Sequence, residues 1–454
     1  MNKILLLFKY DKIFIKNLLI LSLPLIGQNL VTSSLNLLDN IMIGHLGVNE
    51  IAAVGLANQY YLVFFLTMTA VCVGGSVLMS QFWGKRELHN IKKFSGIAYI
   101  ISLLVTLIFT LIALFFPQII IKAFINNEKV IEIGSNYLRT VAPSYIFTCL
   151  SFNFCATMRS VGETSTPMKG SIIGFLFNGI LNYIFIFGKL GLEPMGVVGA
   201  ALGTTFSRLI EFLYLTYVVY IKNHIIKATF KELFSFDSYD VKLFIKTATP
   251  VVINDFIWVS GVTAYSKSYS LLGADAIATM QIAGITNNLF HIFGIGLGVA
   301  SSIIIGHSIG AGESIQEVFE KGKKMASFSF LVGIVVGILF FITSPLIPLF
   351  FNVSTEIKEN ILIILKIMAF ILPFRFLGMS FIIGSFRGGG DVLYATIAEG
   401  VSMWLLAIPL GFFSVFFFNI DIKILYLLIC LEEVGRLLFG FPRFISKRWI
   451  KALV

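Results

Sequence analysis

Charged residues are scarce in this 454-residue sequence: Asp, Glu, Lys and Arg make up only 13% of it, whereas hydrophobic residues make up 57%. Soluble globular domains carry roughly 25% charged residues. Together with a mean hydropathy of +0.91, this composition excludes a soluble protein. The sequence therefore predicts an integral membrane protein that crosses the bilayer many times.

The sequence also lacks the motifs of common enzymes and cofactor sites. It contains no HExxH, GxxxxGK[ST] or GxSxG motif. Its four cysteines (Cys72, Cys149, Cys155 and Cys430) lie in apolar stretches without CxxC spacing, which is typical of buried free thiols. We therefore predict a protein that is not an enzyme, has no metal site and no cofactor, and draws on an ion gradient rather than on ATP.

Long apolar runs dominate what is present. We predict twelve membrane-spanning segments, approximately 17–43, 51–80, 94–121, 134–157, 167–188, 196–221, 243–271, 276–305, 325–349, 360–384, 392–417 and 422–442. The loops on one side, with the termini, carry 23 Lys and Arg residues, and those on the other side carry six. By the positive-inside rule, both termini are predicted to be cytoplasmic, in the plasma (inner) membrane. The same rule accounts for the net charge of +10 without a nucleic-acid partner.

The two halves of the sequence repeat each other. With an offset of 226 residues, Leu23-Pro24 matches Thr249-Pro250, and Gly84 matches Gly310. With an offset of 228, Arg159-x-x-Gly162-Glu163 matches Arg387-x-x-Gly390-Asp391. We predict two six-helix lobes, 1–225 and 226–454, joined by a cytoplasmic connector at 222–241. Such duplication is common in transporters that work by alternating access.

The first segment carries a polar stripe that ends in a carboxylate. Gln28, Thr32 and Asn36 recur every four residues, and Asp39 follows at the next helical step. A charge within a membrane helix costs at least roughly 2.5–3.5 kcal/mol unless it meets water or a partner. Asp39 is therefore a functional candidate, and the alternative is a helix-packing seam in which Asp39 bonds a neighbour. Pro24 lies near the start of the same segment.

Several motifs together resemble one known family. They are DNIMIGHLG-x-x-x-IAAVGLA, MRSVGETSTPM, LNYIFIFG, GVVGAALGTT-x-SR, and SFRGGGD followed by MWLLAIPLG. In order and in both halves, they resemble the MATE (multidrug and toxic-compound extrusion) transporters. The resemblance implies an all-α membrane fold of the MOP superfamily, with twelve helices in two pseudo-symmetric lobes around a central cleft. It also implies export of organic, mostly cationic and amphiphilic compounds in exchange for H⁺ or Na⁺.

The resemblance assigns ion-coupling residues in the N-terminal half. Asp39 matches the family's first-helix carboxylate, Asn178 and Asn182 match a polar pair on the fifth helix, and Thr204 matches a hydroxyl on the sixth. Read from the residues alone, Asn178 and Asn182 share one helix face. Their amides suit a carboxylate that changes charge, or they hold helices together.

The C-terminal half departs from the family pattern. NorM-type members place a Glu on the seventh helix and an Asp on the tenth, at positions that here fall close to Trp258 and Phe376. Asp255 lies about one turn before Trp258 and could substitute. We therefore favour H⁺ coupling through Asp39, with a Na⁺ site at Asp255 as the alternative.

The remaining polar residues in the membrane segments divide into substrate contacts and structural pairs. His291 shares a helix face with Gln281 and Asn288, and it either joins a proton path or is simply hydrogen-bonded. We predict substrate contacts at Gln28, Thr32, Asn36, Asn254, Trp258, Tyr265, Gln281, Asn288 and His291. The pairs Arg208/Glu211 and Glu433/Arg436 are each expected to neutralise locally. Arg159 and Arg387 are expected to form caps or gate contacts.

The resemblance and the composition also indicate what the protein binds and which other functions are possible. We expect small organic cations and the lipid bilayer as partners, and a monomer. A flippase of lipid-linked oligosaccharides, from the same superfamily, is the main alternative function. Few buried Arg and Lys residues and twelve helices argue against it. A non-transporting assembly or receptor protein is a further alternative that the duplication disfavours.

Overall fold

A computed structural model describes residues 12–418 and 420–454, and these form helices joined by short turns. No strand occurs within those two ranges. Lys3 and Lys9, which belong to the N-terminus predicted to be cytoplasmic, fall outside the described residues. The predicted all-α fold is confirmed.

Helices of the first half are labelled in chain order. They are α1 (Lys12–Gly44), α2 (Val48–Gly84), α3 (Leu88–Phe115), α4 (Pro117–Lys122), α5 (Glu128–Val141), α6 (Pro143–Ser160), α7 (Ser165–Phe187), α8 (Gly196–Thr216), which continues as a π-helical turn (Tyr217–Ile221), and α9 (Phe230–Leu233).

Helices of the second half follow the same order of long spans. They are α10 (Ser238–Ser270), α11 (Ala274–Gly310), α12 (Ile315–Thr343) with a 3₁₀ extension (Ser344–Phe350), α13 (Thr355–Met379) with a π-helical end (Ser380–Arg387), α14 (Val392–Gly400), a π-helical segment (Val401–Ala407), α15 (Ile408–Phe418), α16 (Ile422–Ile429) and α17 (Leu431–Ile445).

Many of these helices are long and apolar enough to cross a membrane. The described residues contain ten such spans, or eleven if α5 and α6, which meet at 45°, count as one. The predicted segment 422–442 is instead divided into α16 and α17. Its second part carries Glu432, Glu433 and Arg436, whose charges lower its apolar character. A multi-pass membrane protein is confirmed, and the count of twelve spans stays a prediction.

The described residues group into two compact units. The N-terminal unit comprises Gly27–Trp83 and Glu87–Val252, and the C-terminal unit comprises 12–26, Gly84–Arg86 and Ile253–Val454. The lobe boundaries predicted from the repeat stay a prediction.

Each unit has its own aromatic-rich core. In the N-terminal unit, the rings of Phe64 and Tyr145 stack with centroids 4.7 Å apart. In the C-terminal unit, Phe290 stacks on the fully buried Phe340 at 4.1 Å. Such offset ring pairs contribute about 0.5–1.5 kcal/mol beyond the burial of their surface.

Small residues bring the membrane helices close together. A methyl group on Gly74 would collide with the backbone of Ala248, both in the N-terminal unit. In the C-terminal unit, a methyl group on Gly333 would lie 2.7 Å from the Cα of Pro373. Because lipid tails are as apolar as the side chains, membrane helices associate through close packing rather than hydrophobic burial. Glycine at these positions therefore permits the observed helix contacts.

The predicted connector contains one short capped helix, α9. Thr229 and Glu232 form a reciprocal capping box at its start. Lys92 Nζ lies 2.8 Å from Glu232 Oε1. The hydrogen bond from Lys92, followed by that from the Thr229 backbone N–H, lowers the pKa of Glu232 to about 2. The carboxylate of Glu232 is therefore charged at all physiological pH values.

The turn after α2 shows where the two halves of the repeat differ in backbone strain. Its Arg86 has φ 62°, in the left-handed region, and the matching residue 226 positions later is Gly312, with φ 75°. Both turns close with the same backbone bond, Glu87 N to Phe82 O at 3.0 Å and Glu313 N to Ser308 O at 3.2 Å. An L-residue in this conformation costs roughly 1–2 kcal/mol, which glycine avoids.

We therefore predict that Arg86→Gly stabilises the protein by about 1 kcal/mol, because it relieves this strain at an exposed position. Denaturant unfolding in detergent micelles measures the effect. Arg86→Ala, which removes the same side chain but keeps a Cβ, is the matched control. Equal stability of the glycine and alanine variants would show that the backbone conformation is not strained.

Candidate functional site

The carboxylate predicted to be functional lies in a cluster of polar side chains inside the N-terminal unit. Asp39 Oδ1 on α1 accepts a hydrogen bond of 2.6 Å from Asn182 Nδ2 on α7. The same amide nitrogen is 3.3 Å from Asn178 Oδ1, one turn earlier. Asn178 Nδ2 in turn is 3.4 Å from Thr204 Oγ1 on α8. The four residues assigned by the resemblance are thus neighbours, linked one to the next.

Local sequence explains how this cluster is built. Asn178 and Asn182 are four residues apart on α7, so they share a face, and both are fully buried. The neighbouring helix α8 has Gly203 at the point of contact, where a methyl group would collide with Asn182 Oδ1. That oxygen is buried without a hydrogen-bond partner among the described residues. Asn182 therefore presents a donor to Asp39, and its acceptor oxygen, which lies against Gly203, stays unpaired.

The other members of the predicted stripe on α1 lie in different surroundings. Gln28 is buried, donates to Ser171 Oγ at 2.9 Å and accepts from Arg159 Nη2 at 2.7 Å. Thr32 and Asn36 are exposed, and the Thr32 hydroxyl donates to the carbonyl of Gln28 at 3.0 Å. The stripe therefore divides into a buried end at Gln28 and an exposed middle.

Gln28 begins a second polar chain in the N-terminal unit. Ser171 Oγ, which accepts from Gln28, donates to Glu211 Oε1 at 3.1 Å. Glu211 pairs with Arg208 at 2.7 Å, as the spacing on the sixth segment predicted. This chain joins α6, α1, α7 and α8.

A denser network of charges occupies the C-terminal unit. Glu399 accepts from Asn254 Nδ2 at 2.7 Å through one oxygen and from Arg436 Nη2 at 2.7 Å through the other. Arg436 also pairs with Glu433 at 3.2 Å, which confirms that predicted pair, and Glu433 binds Arg375 Nε at 2.7 Å. All five side chains are buried or partly buried, so each charge has its compensation inside the unit.

Two further contacts extend this network. Arg436 also pairs with Glu432, and Glu432 Oε2 accepts the hydroxyl of Tyr265 at 2.7 Å. On the other side, Arg387 donates to Asn254 Oδ1 and lies 3.4 Å from Asp255 Oδ1. Two predicted substrate contacts, Asn254 and Tyr265, are thus buried and bonded within the network. Asp255 keeps a quarter of its side chain exposed.

The remaining predicted contacts lie nearer the surface of the C-terminal unit. Gln281, Asn288 and Trp258 are exposed, and His291 is partly exposed. His291 is close enough to Arg375 and Glu433 to interact with their charges. None of the hydrogen bonds described above joins Gln281, Asn288, Trp258 or His291 to the charge network of the C-terminal unit.

An open apolar groove is lined in part by residues that flank Trp258 in the sequence. Its volume is about 650 Å³, and its lining consists of Ile253, Phe256, Ile257, Ser260, Gly400 and Trp404. None of the predicted site residues lines this groove. Ser260 is its one polar lining side chain apart from the Trp404 indole N–H, which donates to the Ile257 carbonyl at 3.2 Å.

Sequence reasoning missed the roles of Glu432 and Arg375. Glu432 meets Tyr265 across 167 residues, and Arg375 meets Glu433 across 58. Their presence in predicted membrane segments was itself a signal, because a charge there requires a partner. The identity of that partner depends on tertiary packing.

A repeated helical architecture with buried ionisable groups inside its apolar spans is typical of multi-pass membrane transporters. The chain belongs to the MatE family, whose model matches residues 24–184 and 250–413, together more than half of its length.

Known proteins resemble the chain over nearly its whole length. It is 26% identical, over 443 residues, to the probable multidrug resistance protein NorM of Thermotoga maritima, covering 97% of this chain and 94% of the relative. Among solved structures, a MATE protein in complex with MaL6 matches with a TM-score of 0.87 and 19% identity, covering 97% and 98%. A MOP superfamily transporter from Pyrococcus furiosus, described as having a binding pocket of reverse polarity, matches with a TM-score of 0.85 and 19% identity, with the same coverage.

We predict that Arg436→Met destabilises the protein by about 3–5 kcal/mol, because it leaves buried carboxylates without their counter-charge. Glu399→Gln added to this variant restores part of the loss, since it removes one of the uncompensated charges. Denaturant unfolding of the two single variants and the double variant measures the coupling. Additive effects of the two substitutions would contradict the network.

Proposed function

We propose that this protein is a secondary active multidrug efflux antiporter that exports organic, mostly cationic and amphiphilic compounds in exchange for H⁺. Membership of the MatE family and the multidrug resistance names of its relatives support export of this kind. The observation that carries the proposal is the hydrogen bond between Asp39 and Asn182 inside the N-terminal unit. The protein is then a transporter rather than an enzyme, and it needs no cofactor.

The chemistry of the Asp39 cluster suits a group that gains and loses a proton. A charged carboxylate needs donors, and Asn182 Nδ2 supplies one at 2.6 Å. A protonated carboxyl group needs an acceptor, and the unpaired Asn182 Oδ1 belongs to the same amide. Because one side chain offers both, the amide of Asn182 can serve Asp39 as a donor when the carboxylate is charged and as an acceptor when it is protonated.

Protonation is proposed to act through α1. Asp39 lies ~22 Å further along this helix than Pro24, at 1.5 Å per residue. Loss of the charge on Asp39 removes the cost of holding it in the membrane. The transporter has two states, and a proton that binds one of them more tightly than the other shifts the balance towards that state. A bend at or near Pro24 is the proposed response of the helix.

The remaining parts of the proposal follow the sequence predictions. The protein functions as a monomer in the plasma (inner) membrane, with both termini cytoplasmic. Organic cations are bound through apolar burial and cation–π attraction. The exposed members of the predicted set are the best candidates for these contacts: Thr32, Asn36, Trp258, Gln281 and Asn288.

We predict that purified protein in liposomes drives efflux of a fluorescent organic cation under a pH gradient. Asp39→Asn, which mimics the protonated side chain, is expected to lower this efflux by at least about tenfold, within the range of typical coupling free energies. A pH gradient and a Na⁺ gradient are imposed separately, and the dye signal is followed in time.

Each outcome of this experiment has one meaning. Efflux driven by Na⁺ alone would contradict H⁺ coupling and move the coupling site to Asp255. Efflux that Asp39→Asn leaves intact would contradict the role of Asp39. No cation efflux under either gradient would contradict the proposed substrate class and favour the flippase of lipid-linked oligosaccharides.

Gly203→Ala tests the cluster without altering any polar residue. The added methyl group collides with Asn182 Oδ1, so we predict that Asn182 moves away from Asp39 and that coupled efflux falls. Gly55→Ala, a methyl group added on another membrane helix where nothing lies within 4 Å, is the matched control. Liposome efflux measures both variants, and thermal unfolding shows whether they fold. Normal coupling in a folded Gly203→Ala protein would contradict the importance of the hydrogen bond.

A further inference from the structure

The two arginines of the repeated R-x-x-G motif occupy the same local geometry. Gly162 and Gly390 both have φ 84°. In the first half, Glu163 N bonds Met158 O at 2.9 Å, and in the second, Asp391 N bonds Phe386 O at 2.8 Å. Both are Schellman endings, which require a left-handed residue just past the helix. Each arginine directly follows the residue whose carbonyl accepts this bond, so the turn holds both arginines at the same position relative to the end of the helix.

Each arginine binds the side-chain amide that lies one turn after an internal proline. Arg159 Nη2 donates to Gln28 Oε1 at 2.7 Å, and Gln28 follows Pro24 on α1. Arg387 Nη2 donates to Asn254 Oδ1, and Asn254 follows Pro250 on α10. The repeat offset of 226 relates Gln28 to Asn254. The same contact thus occurs in both halves, although one amide is Gln and the other is Asn.

Both amides lie where the chain passes from one compact unit to the other. On α1 the change of unit falls between Ile26 and Gly27, and on α10 it falls between Val252 and Ile253. Each change comes just after the proline, which lacks the N–H that a regular helix would use and so weakens the helix there. Gln28 and Asn254 are the first buried polar side chains after each change of unit.

Behind each amide, further polar contacts bind it into its own unit. Gln28 contacts Ser171, which contacts Glu211. Asn254 contacts Glu399, which contacts Arg436. Ser171 and Glu399 are related by the offset of 228 that also relates the two arginines. Bonds of this kind are held in place because a buried polar group without a partner is unfavourable.

We infer that Arg159 and Arg387 are positioning residues that anchor the two proline-containing helices: each fastens the part of its helix after the proline to one unit, and thereby confines bending to the residues around Pro24 and Pro250. This inference goes beyond the proposed function and does not depend on which ion or compound is transported. It predicts that loss of one arginine loosens one helix and leaves the other unchanged.

Spin labels on both helices test this specificity in the full-length protein. One pair is placed at Ile20 and Leu37 on α1, and the second at Ile245 and Val262 on α10, all at exposed positions. The spacing of each pair is ~26 Å along a straight helix, within the range of pulsed EPR. The four native cysteines are buried, and the protein without added cysteines gives the labelling background.

Arg159→Met is expected to broaden the distance distribution of the α1 pair and leave that of the α10 pair unchanged. Arg387→Met is expected to do the reverse. Arg159→Lys, which keeps a donor near Gln28, is expected to give an α1 distribution narrower than that of Arg159→Met. Thermal unfolding of each labelled variant confirms that it is folded.

The contrast between the two pairs separates anchoring from general loss of stability. Broadening of both pairs by either single variant would overturn the inference, since a merely destabilised protein behaves in that way. Unchanged distributions in both variants would overturn it as well. Because the readout is a distance within one helix, the anchoring result stands whether or not cation efflux proves to be driven by H⁺.

Discussion

Burial of polar groups in an apolar medium is the constraint on which the rest of this structure depends. Hydrocarbon offers no hydrogen bonds, so each buried polar side chain in a membrane span must find its partner inside the protein. Asp39 finds an amide, at 2.6 Å, whereas Glu399 finds an amide and a guanidinium, both at 2.7 Å. Asp39 thus has a neutral hydrogen-bond partner, whereas Glu399 has one neutral and one charged partner.

The two halves of the repeat meet this constraint with different chemistry at matching places. Ser171 of the first half corresponds to Glu399 of the second. Each half also has an ion pair of residues three apart in its last predicted segment, Arg208/Glu211 in the first half and Glu433/Arg436 in the second. The C-terminal unit thereby concentrates three carboxylates (Glu399, Glu432 and Glu433) around two arginines (Arg375 and Arg436). Hydrogen bonds from Asn254 and Tyr265 supplement these ion pairs, since the three carboxylates outnumber the two arginines.

Much of the fold could be predicted from the sequence, because apolar runs, lysine distribution and the internal repeat are properties of the chain itself. The resemblance supplied the Asp39 cluster, and the spacing of Asn178 and Asn182 supported it. Periodicity places residues on a face but does not say what lies opposite, so the stripe from Gln28 to Asp39 could not reveal that Gln28 meets Arg159. The contact between Tyr265 and Glu432, 167 residues apart, depends on packing that no local pattern encodes.

The repeat also identifies the residue that stands in the second half at the position of Asp39. The offset of 226 relates Asp39 to Tyr265, so the second half has a phenol where the first has a carboxylate. Tyr265 serves there as a hydrogen-bond donor to Glu432, a role that requires the phenol to keep its proton. Of these two matching residues, only Asp39 is a carboxylate, and its partner is the amide of Asn182. The two halves have thus diverged at equivalent positions: Asp39 of the first half accepts a hydrogen bond from an amide, whereas Tyr265 of the second donates one to a carboxylate of the ion-pair network.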